Sequence, residues 1–267
     1  MGVAEQNMAG VAAGLAMEGY TPIIYSIVPF TTMRNFEQVR NDICYQNLNV
    51  KIVGVGAGFS YGPYGHTHHG LEDIGILRTL PNLTIVAPGD PVETELATRA
   101  MMKHTGPVYV RLGKAGEPTI HAKHPNFTIG KGIVVSDGHD VTIVATSTLL
   151  ERAMAVSDIL AKKMGIQARV VSMPTIKPLD ERLIMESAKK TRVLVTLEEH
   201  SIIGGLGSAV SEVIAESGYP CIFKRIAVPD RFTKVIGLQE YMRKANGLSE
   251  AQITSVIKQL YATKKTQ

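Results

Sequence analysis

The sequence predicts an α/β protein of two parallel-sheet domains, residues 1–125 followed by residues 126–267. Three observations predict it. Short apolar runs alternate with helix-length segments, the runs are apolar throughout, and residues 113–125 mix Gly, Pro, Lys and His without periodicity. Strands apolar on both faces belong to a parallel sheet covered on both sides, and an aperiodic Gly/Pro stretch reads as a connection between domains.

Each element follows from its own pattern. Met8, Val11, Ala12, Leu15 and Ala16 recur at helical spacing, with Glu5 at the start and Gly19 at the end. A carboxylate in that first turn is favoured by the unpaired amides and the helix dipole. Residues 22–27 read as a buried strand, and Met33, Phe36, Val39 and Ile43 mark a helix behind it. A strand at 51–55, a Gly-rich loop at 56–70, a helix near 71–80, a strand at 83–86, a helix at 91–103 and a strand at 108–110 complete the first domain. In the second, strands at 141–145, 168–171 and 193–197 alternate with helix-length segments, the first an amphipathic helix over 148–162. Ligands of open α/β sheets collect beyond the carboxyl ends of the strands, which is where the 56–70 loop lies.

Composition excludes several classes. The formal net charge is +4, and apart from the terminal Lys264-Lys265, which reads as a solvated tail, there is no dense basic run to bind nucleic acid. No apolar run approaches a membrane span, and the start lacks a basic-then-apolar leader. Cys44 and Cys221 lie far apart, with neither metal spacing nor a disulfide framework, which suits a reducing cytoplasm.

The chemistry concentrates in the 56–70 loop, where His66, His68 and His69 precede Glu72 and Asp73. Zinc binding, loop histidines satisfied by backbone groups, and proton transfer are all readings of this cluster. Zinc ligands on a helix stand one turn apart and need a closing second cluster, neither of which is visible. Proton transfer suits the one side chain with an unperturbed pKa near neutrality.

Gly2-Val3-Ala4-Glu5-Gln6-Asn7, the Thr67-His68-His69 loop, Leu77-Arg78 with Pro81-Asn82, Pro88-Gly89-Asp90 and residues 106–111 occur in one order over almost the whole chain. This succession resembles the pyrimidine-binding half of transketolases, most closely the C-terminal subunits of split transketolases and less closely deoxyxylulose-phosphate synthases. Thr175 to Asp180, Leu197-Glu198-Glu199-His200 and Gly204-Gly205-Leu206-Gly207-Ser208 resemble the C-terminal domain of the same superfamily. That domain mainly builds the subunit interface, so the resemblance implies homodimer contact through both domains. The glycine segment lacks the G-x-G-x-x-G order, so a dinucleotide reading is weak.

The resemblance implies the cofactor thiamine diphosphate. The glutamate matching Glu5 hydrogen-bonds N1′ of the aminopyrimidine and favours the tautomer that takes the proton from thiazolium C2. Phe30 matches the aromatic that packs on that ring, with Phe36 as the core alternative. His68 corresponds to the histidine that moves protons on substrate hydroxyls and carbonyls, with His69 beside it as a weaker substrate contact. Arg34 and Arg111 match positions near the substrate phosphate, and planar guanidinium groups suit bidentate phosphate binding; for Arg34 a surface ion pair is the alternative. Relatives carry a further histidine upstream in this loop, and a gapless count from Thr67 puts Gly56 there.

The family holds the diphosphate through Mg²⁺ with a Gly-Asp-Gly segment, and the nearest string is Ser136-Asp137-Gly138. The expectation is therefore a partner, an N-terminal subunit that carries the diphosphate and Mg²⁺, with the active site between the two. The first elements of the pyrimidine-binding domain are also expected to be missing. The implied activity is transfer of a two-carbon ketol unit between sugar phosphates. The β component of a 2-oxoacid dehydrogenase, a deoxyxylulose-phosphate synthase-like fragment and an inactive scaffolding subunit are the alternatives.

Overall fold

The computed structural model describes residues 2–263, so Lys264 and Lys265 lie outside the described residues. The first unit runs α1 (Glu5–Met17), β1 (Ile23–Ile27), α2 (Val28–Thr32), α3 (Phe36–Gln38), which continues as a π-helical turn over Val39–Cys44, β2 (Lys51–Val55), α4 (Asp73–Leu77), β3 (Thr84–Val86), α5 (Pro91–Lys103) and β4 (Val108–Leu112). The second runs β5 (Ile133–Ser136), β6 (Val141–Ala145), α6 (Leu150–Met164), β7 (Ala168–Ser172), β8 (Thr175–Lys177), α7 (Glu181–Lys190), β9 (Val193–Ser201), α8 (Leu206–Ser217), β10 (Ile222–Val228), α9 (Gln239–Ala245) and α10 (Glu250–Ala262). Helix starts are written in the sequence: Asp90 caps α5 ahead of Pro91, Asp180 caps α7, and Ser249 with Gln252 forms a capping box on α10.

There are two five-stranded sheets, ordered β1-β2-β4-β3-β8 and β10-β9-β6-β7-β5. Eight strands pair in parallel, as expected of buried apolar runs, but both sheets are mixed. Strand β5 lies antiparallel on β7, and β8, which follows β7 in the chain, crosses to pair antiparallel with β3 of the first sheet. The two units also share apolar packing: one continuous core joins Ala9, Ile43, Ile74 and Leu77 to Val144, Val171, Ile184 and Leu206. A second core under α6 and α10 takes in Phe59 and Leu71 from the ends of the 56–70 loop. That loop is therefore pinned at both ends.

Two expectations need correction. Helix α1 buries Ala9, Ala12 and Ala13 and packs Met8 and Ala16 against the same core, while Val11 and Leu15 are exposed; the helix is turned so that Ala9 and Ala13, not Val11 and Leu15, complete its buried face. Strand β1 is an edge strand with Ile24 inside and Tyr25 outside. Only Ile24 of this strand is buried, with Ile23 and Tyr25 exposed and Ser26 and Ile27 partly so.

The 113–125 connection is held by a buried carboxylate pair. Asp90 accepts from the Ile120 and His121 amides at 2.9 Å, and Glu93 bonds the His121 ring at 2.7 Å. The Glu93 carboxylate raises the pKa of His121 above the usual 6.5. A raised folded pKa means that this stabilisation is fully present below about pH 6.5 and is lost as pH climbs through the folded value. His121→Asn is expected to cost about 1 kcal/mol more at pH 5.5 than at pH 9 in urea unfolding; an equal cost at both would refute the charged bond.

Candidate functional site

The site is assembled at the carboxyl ends of β1 and β2. Glu5 stands in the first turn of α1, 7 % exposed. Directly after β1 the chain turns into α2, with Pro29 at its start, and this places Phe30 at the rim. After β2 it enters the Gly-rich loop, whose short 3₁₀ turn His66–His68 brings His68 back over α2. The ring of His68 meets Phe30 edge-on at 5.2 Å between centroids and lies 5.4 Å from Tyr64. Arg34 closes the group: Nη1 donates to Glu5 Oε2 at 2.9 Å, and Cζ stands 4.2 Å from the centroid of Phe30.

The electrostatics follow from these contacts. Burial pushes the Glu5 carboxyl up, but the hydrogen bond from Arg34, a backbone amide and the Arg34 charge outweigh it, so its pKa lies below the usual value. Thr67 Oγ1 lies 3.0 Å from His68 Nδ1 and orients the ring. His69, by contrast, is 2 % exposed, packs edge-on to Phe59 and bonds the Gly62 carbonyl through Nε2. Burial lowers its pKa and keeps it neutral. His69 bonds across the loop and lines the same cleft as His66 rather than joining the group around Glu5. His66 turns the other way, toward Phe232, beside a cleft of about 440 Å³ between the two units. The three rings thus diverge and do not converge on one metal position.

Of the residues singled out from sequence, Glu5, Phe30, Arg34 and His68 come together, and Arg111 does not join them. Its guanidinium is fully buried, donating to Asp73 Oδ2 at 2.9 Å, to the Gly70 carbonyl at 2.6 Å, to the Glu199 carbonyl at 3.0 Å and to Ser147 Oγ at 3.3 Å. Fully buried, with four of its five N–H donors bonded within the chain, it does not face the group formed by Glu5, Phe30, Arg34 and His68. Phe36 packs against the core. Sequence reasoning missed Tyr64 and Tyr61, which extend the aromatic row at 5.8 Å from one another, with Lys114 5.3 Å above the Tyr61 ring. Their signal was available as two tyrosines in an otherwise Gly-rich loop. Gly56, counted to the position of a family histidine, has φ +94°, and a Cβ there would run into the Tyr61 ring. Tyr61 fills the space that a side chain at 56 would need.

The second-domain motifs are structural. Glu198 accepts from the Leu206 and Gly207 amides at 2.7 Å, and a Cβ on Gly205 would collide with its carboxylate. The glycine segment cradles the chain's own carboxylate rather than a phosphate. Glu199 accepts from the Phe59 amide at 2.6 Å and from Arg243 at 2.6 Å. His200 accepts from the Gly75 amide through Nε2 at 3.2 Å. Asp137 of Ser136-Asp137-Gly138 is bonded by Lys190 and Arg169, which hold its pKa at about 2. It is a surface ion pair and not a magnesium ligand.

A thiamine diphosphate aminopyrimidine needs a carboxyl group at its edge and an apolar face beside it. Glu5, little exposed, and Phe30 supply both within the reach of one guanidinium. The residues fit the ring. Among the described residues no helix is long and apolar enough to cross a membrane.

Comparison with known proteins identifies the family of the chain. Residues 1–117 match the family model described as transketolase, pyrimidine binding domain, and residues 130–253 match transketolase, C-terminal domain. The chain is 40 % identical over 253 residues to the 6-deoxy-6-sulfo-D-fructose transketolase subunit SqwH of Clostridium sp. (strain MSTE9), covering 95 % of this chain and 78 % of that protein. It is 37 % identical over 256 residues to an apulose-4-phosphate transketolase subunit of Actinobacillus succinogenes, covering 96 % and 82 %. Among solved structures, one described as a split gene transketolase, inactive beta4 tetramer, superposes with a TM-score of 0.88 at 39 % identity, covering 99 % of this chain and 83 % of that one. The chain belongs to the transketolase family and carries its pyrimidine-binding and C-terminal domains in the arrangement of the split-type subunits it resembles.

Proposed function

We propose that this chain supplies the pyrimidine-binding half of a thiamine diphosphate-dependent transketolase, which transfers a two-carbon ketol unit between anionic sugars once joined to an N-terminal, diphosphate-binding subunit. The observation that carries it is the convergence of Glu5, Phe30 and His68 at one rim of the first sheet. The cofactor, when bound, supplies a nucleophilic carbon and an electron sink for carbon–carbon cleavage. Glu5 would hold a proton at the ring nitrogen N1′, in a site sheltered enough for that interaction to be strong. Phe30 would carry the ring on its face. His68, with Thr67 at Nδ1, has Nε2 available to exchange a proton with a substrate hydroxyl.

Relatives named for a sulfonated and a phosphorylated sugar support a ketose with a terminal anion as the substrate class. With Arg111 enclosed, the anion-binding residue of this reading lies elsewhere. Magnesium and the diphosphate are assigned to the N-terminal subunit, because Asp137 is already bonded by Lys190 and Arg169. Homodimer contact through both domains and a cytoplasmic location belong to the same reading. The test is reconstitution: purified chain, a candidate N-terminal subunit, thiamine diphosphate and Mg²⁺, assayed for ketol transfer to an aldose phosphate. Transfer that requires both chains is expected; full transfer by either chain alone would overturn the division of the site.

A further inference from the structure

We propose that Arg34 is a stand-in for the cofactor ring, closing the pyrimidine slot of the isolated chain until an aminopyrimidine displaces it; this rests on the reading of Glu5 and Phe30 given above. The guanidinium donates an N–H to Glu5 Oε2 at 2.9 Å while its Cζ lies 4.2 Å from the centroid of the Phe30 ring. A guanidinium is planar, delocalised and edged with N–H donors, and it stacks on aromatic faces. An aminopyrimidine presents the same two features when a proton is shared at N1′, a flat π-face and a ring nitrogen edge hydrogen-bonded to a carboxyl group. One group already makes both contacts, so the two cannot occupy the slot together.

The local backbone suits a side chain that swings. Arg34 lies in the turn between α2 and α3, and its side chain is 42 % exposed, whereas that of Glu5 is only 9 % exposed. Its neighbours Thr32 and Asn35 are fully buried and fix the main chain on either side. The side chain can leave for solvent without unpacking the helix. Its departure also changes what Glu5 can do. The Arg34 hydrogen bond and charge help hold the Glu5 carboxyl below its usual range, so their loss moves it toward the protonated form needed to share a proton with a ring nitrogen. Closure and an ionised Glu5 therefore go together, as do opening and a proton-sharing Glu5.

The probe is thiamine, which carries the aminopyrimidine without the diphosphate. Titrating it into the full chain and into Arg34→Ala, with Phe30 ring resonances followed by NMR and assigned through Phe30→Leu, reads occupancy without activity. If the slot is closed about nine-tenths of the time, its apparent Kd is raised roughly tenfold, and Arg34→Ala is expected to bind thiamine about tenfold more tightly. Equal or weaker affinity in the variant, with Phe30 still shifting, overturns the stand-in and leaves the ring site intact. No Phe30 shift in either protein overturns both.

Discussion

Asp73→Ala is expected to lower the unfolding free energy by about 3–5 kcal/mol, because it strips the counter-ion from a buried charge. Asp73 and Arg111 are both fully buried, and Asp73 Oδ2 also accepts from the Tyr109 hydroxyl at 2.7 Å. Removing the carboxylate leaves the buried guanidinium charge without its hydrogen-bonded counter-ion. The same guanidinium bonds Gly70 at the end of the histidine loop, Ser147 of the second unit and Glu199 on β9, so the loss reaches both units. Burial also holds the Tyr109 hydroxyl pKa well above its ordinary value, so the phenol remains a donor and cannot replace the missing charge. Pairing the change with Arg111→Met should recover much of the loss, because removing both charges avoids the isolated ion. Urea unfolding of the two single variants and the double one checks this. A cost below about 1 kcal/mol for Asp73→Ala would mean that the pair is solvated and the site scaffold is differently built.

Glu5→Gln is expected to lower ketol transfer by the reconstituted enzyme by about 10²- to 10⁴-fold, the range of general acid–base catalysis. The amide keeps the size of the side chain and one hydrogen-bond donor, but it cannot exchange a proton with a ring nitrogen. Stability should change by less than about 1 kcal/mol, since the Arg34 partner is half exposed and such pairs contribute little. The two variants thus separate two ion pairs, the buried Asp73–Arg111 pair that holds the fold and the Glu5–Arg34 pair that stands in the candidate site.

Much of this was legible in the sequence, and the reasons are local. Periodicity placed β2, α5 and β4 because short apolar runs, a capping aspartate and a proline act on their immediate neighbours. The Glu5 motif and the Thr67-His68 loop were readable because each is a short run of adjacent residues. What escaped depended on contacts distant in the chain. Arg111 reads as an available cation at a strand end until Asp73, 38 positions away, is found beside it. Strand β8 has three residues and gains its pairing from the other sheet, which no local pattern announces. Val11 and Leu15 fit a helical face as well as Ala9 and Ala13 do, and which pair is buried depends on how the helix is turned on the core. The glycines before α8 look like a phosphate cradle because a buried carboxylate, Glu198, asks the same of the backbone.

On the proposed function, Glu5 activates the cofactor held between this chain and its N-terminal subunit. Exchange of the thiazolium C2 proton for deuterium, followed by NMR on the reconstituted pair, measures that step without any sugar. Exchange much faster than in free thiamine diphosphate with the parent chain, falling back toward the free rate in Glu5→Gln, is the predicted result. Equal acceleration by the parent and by Glu5→Gln would contradict it.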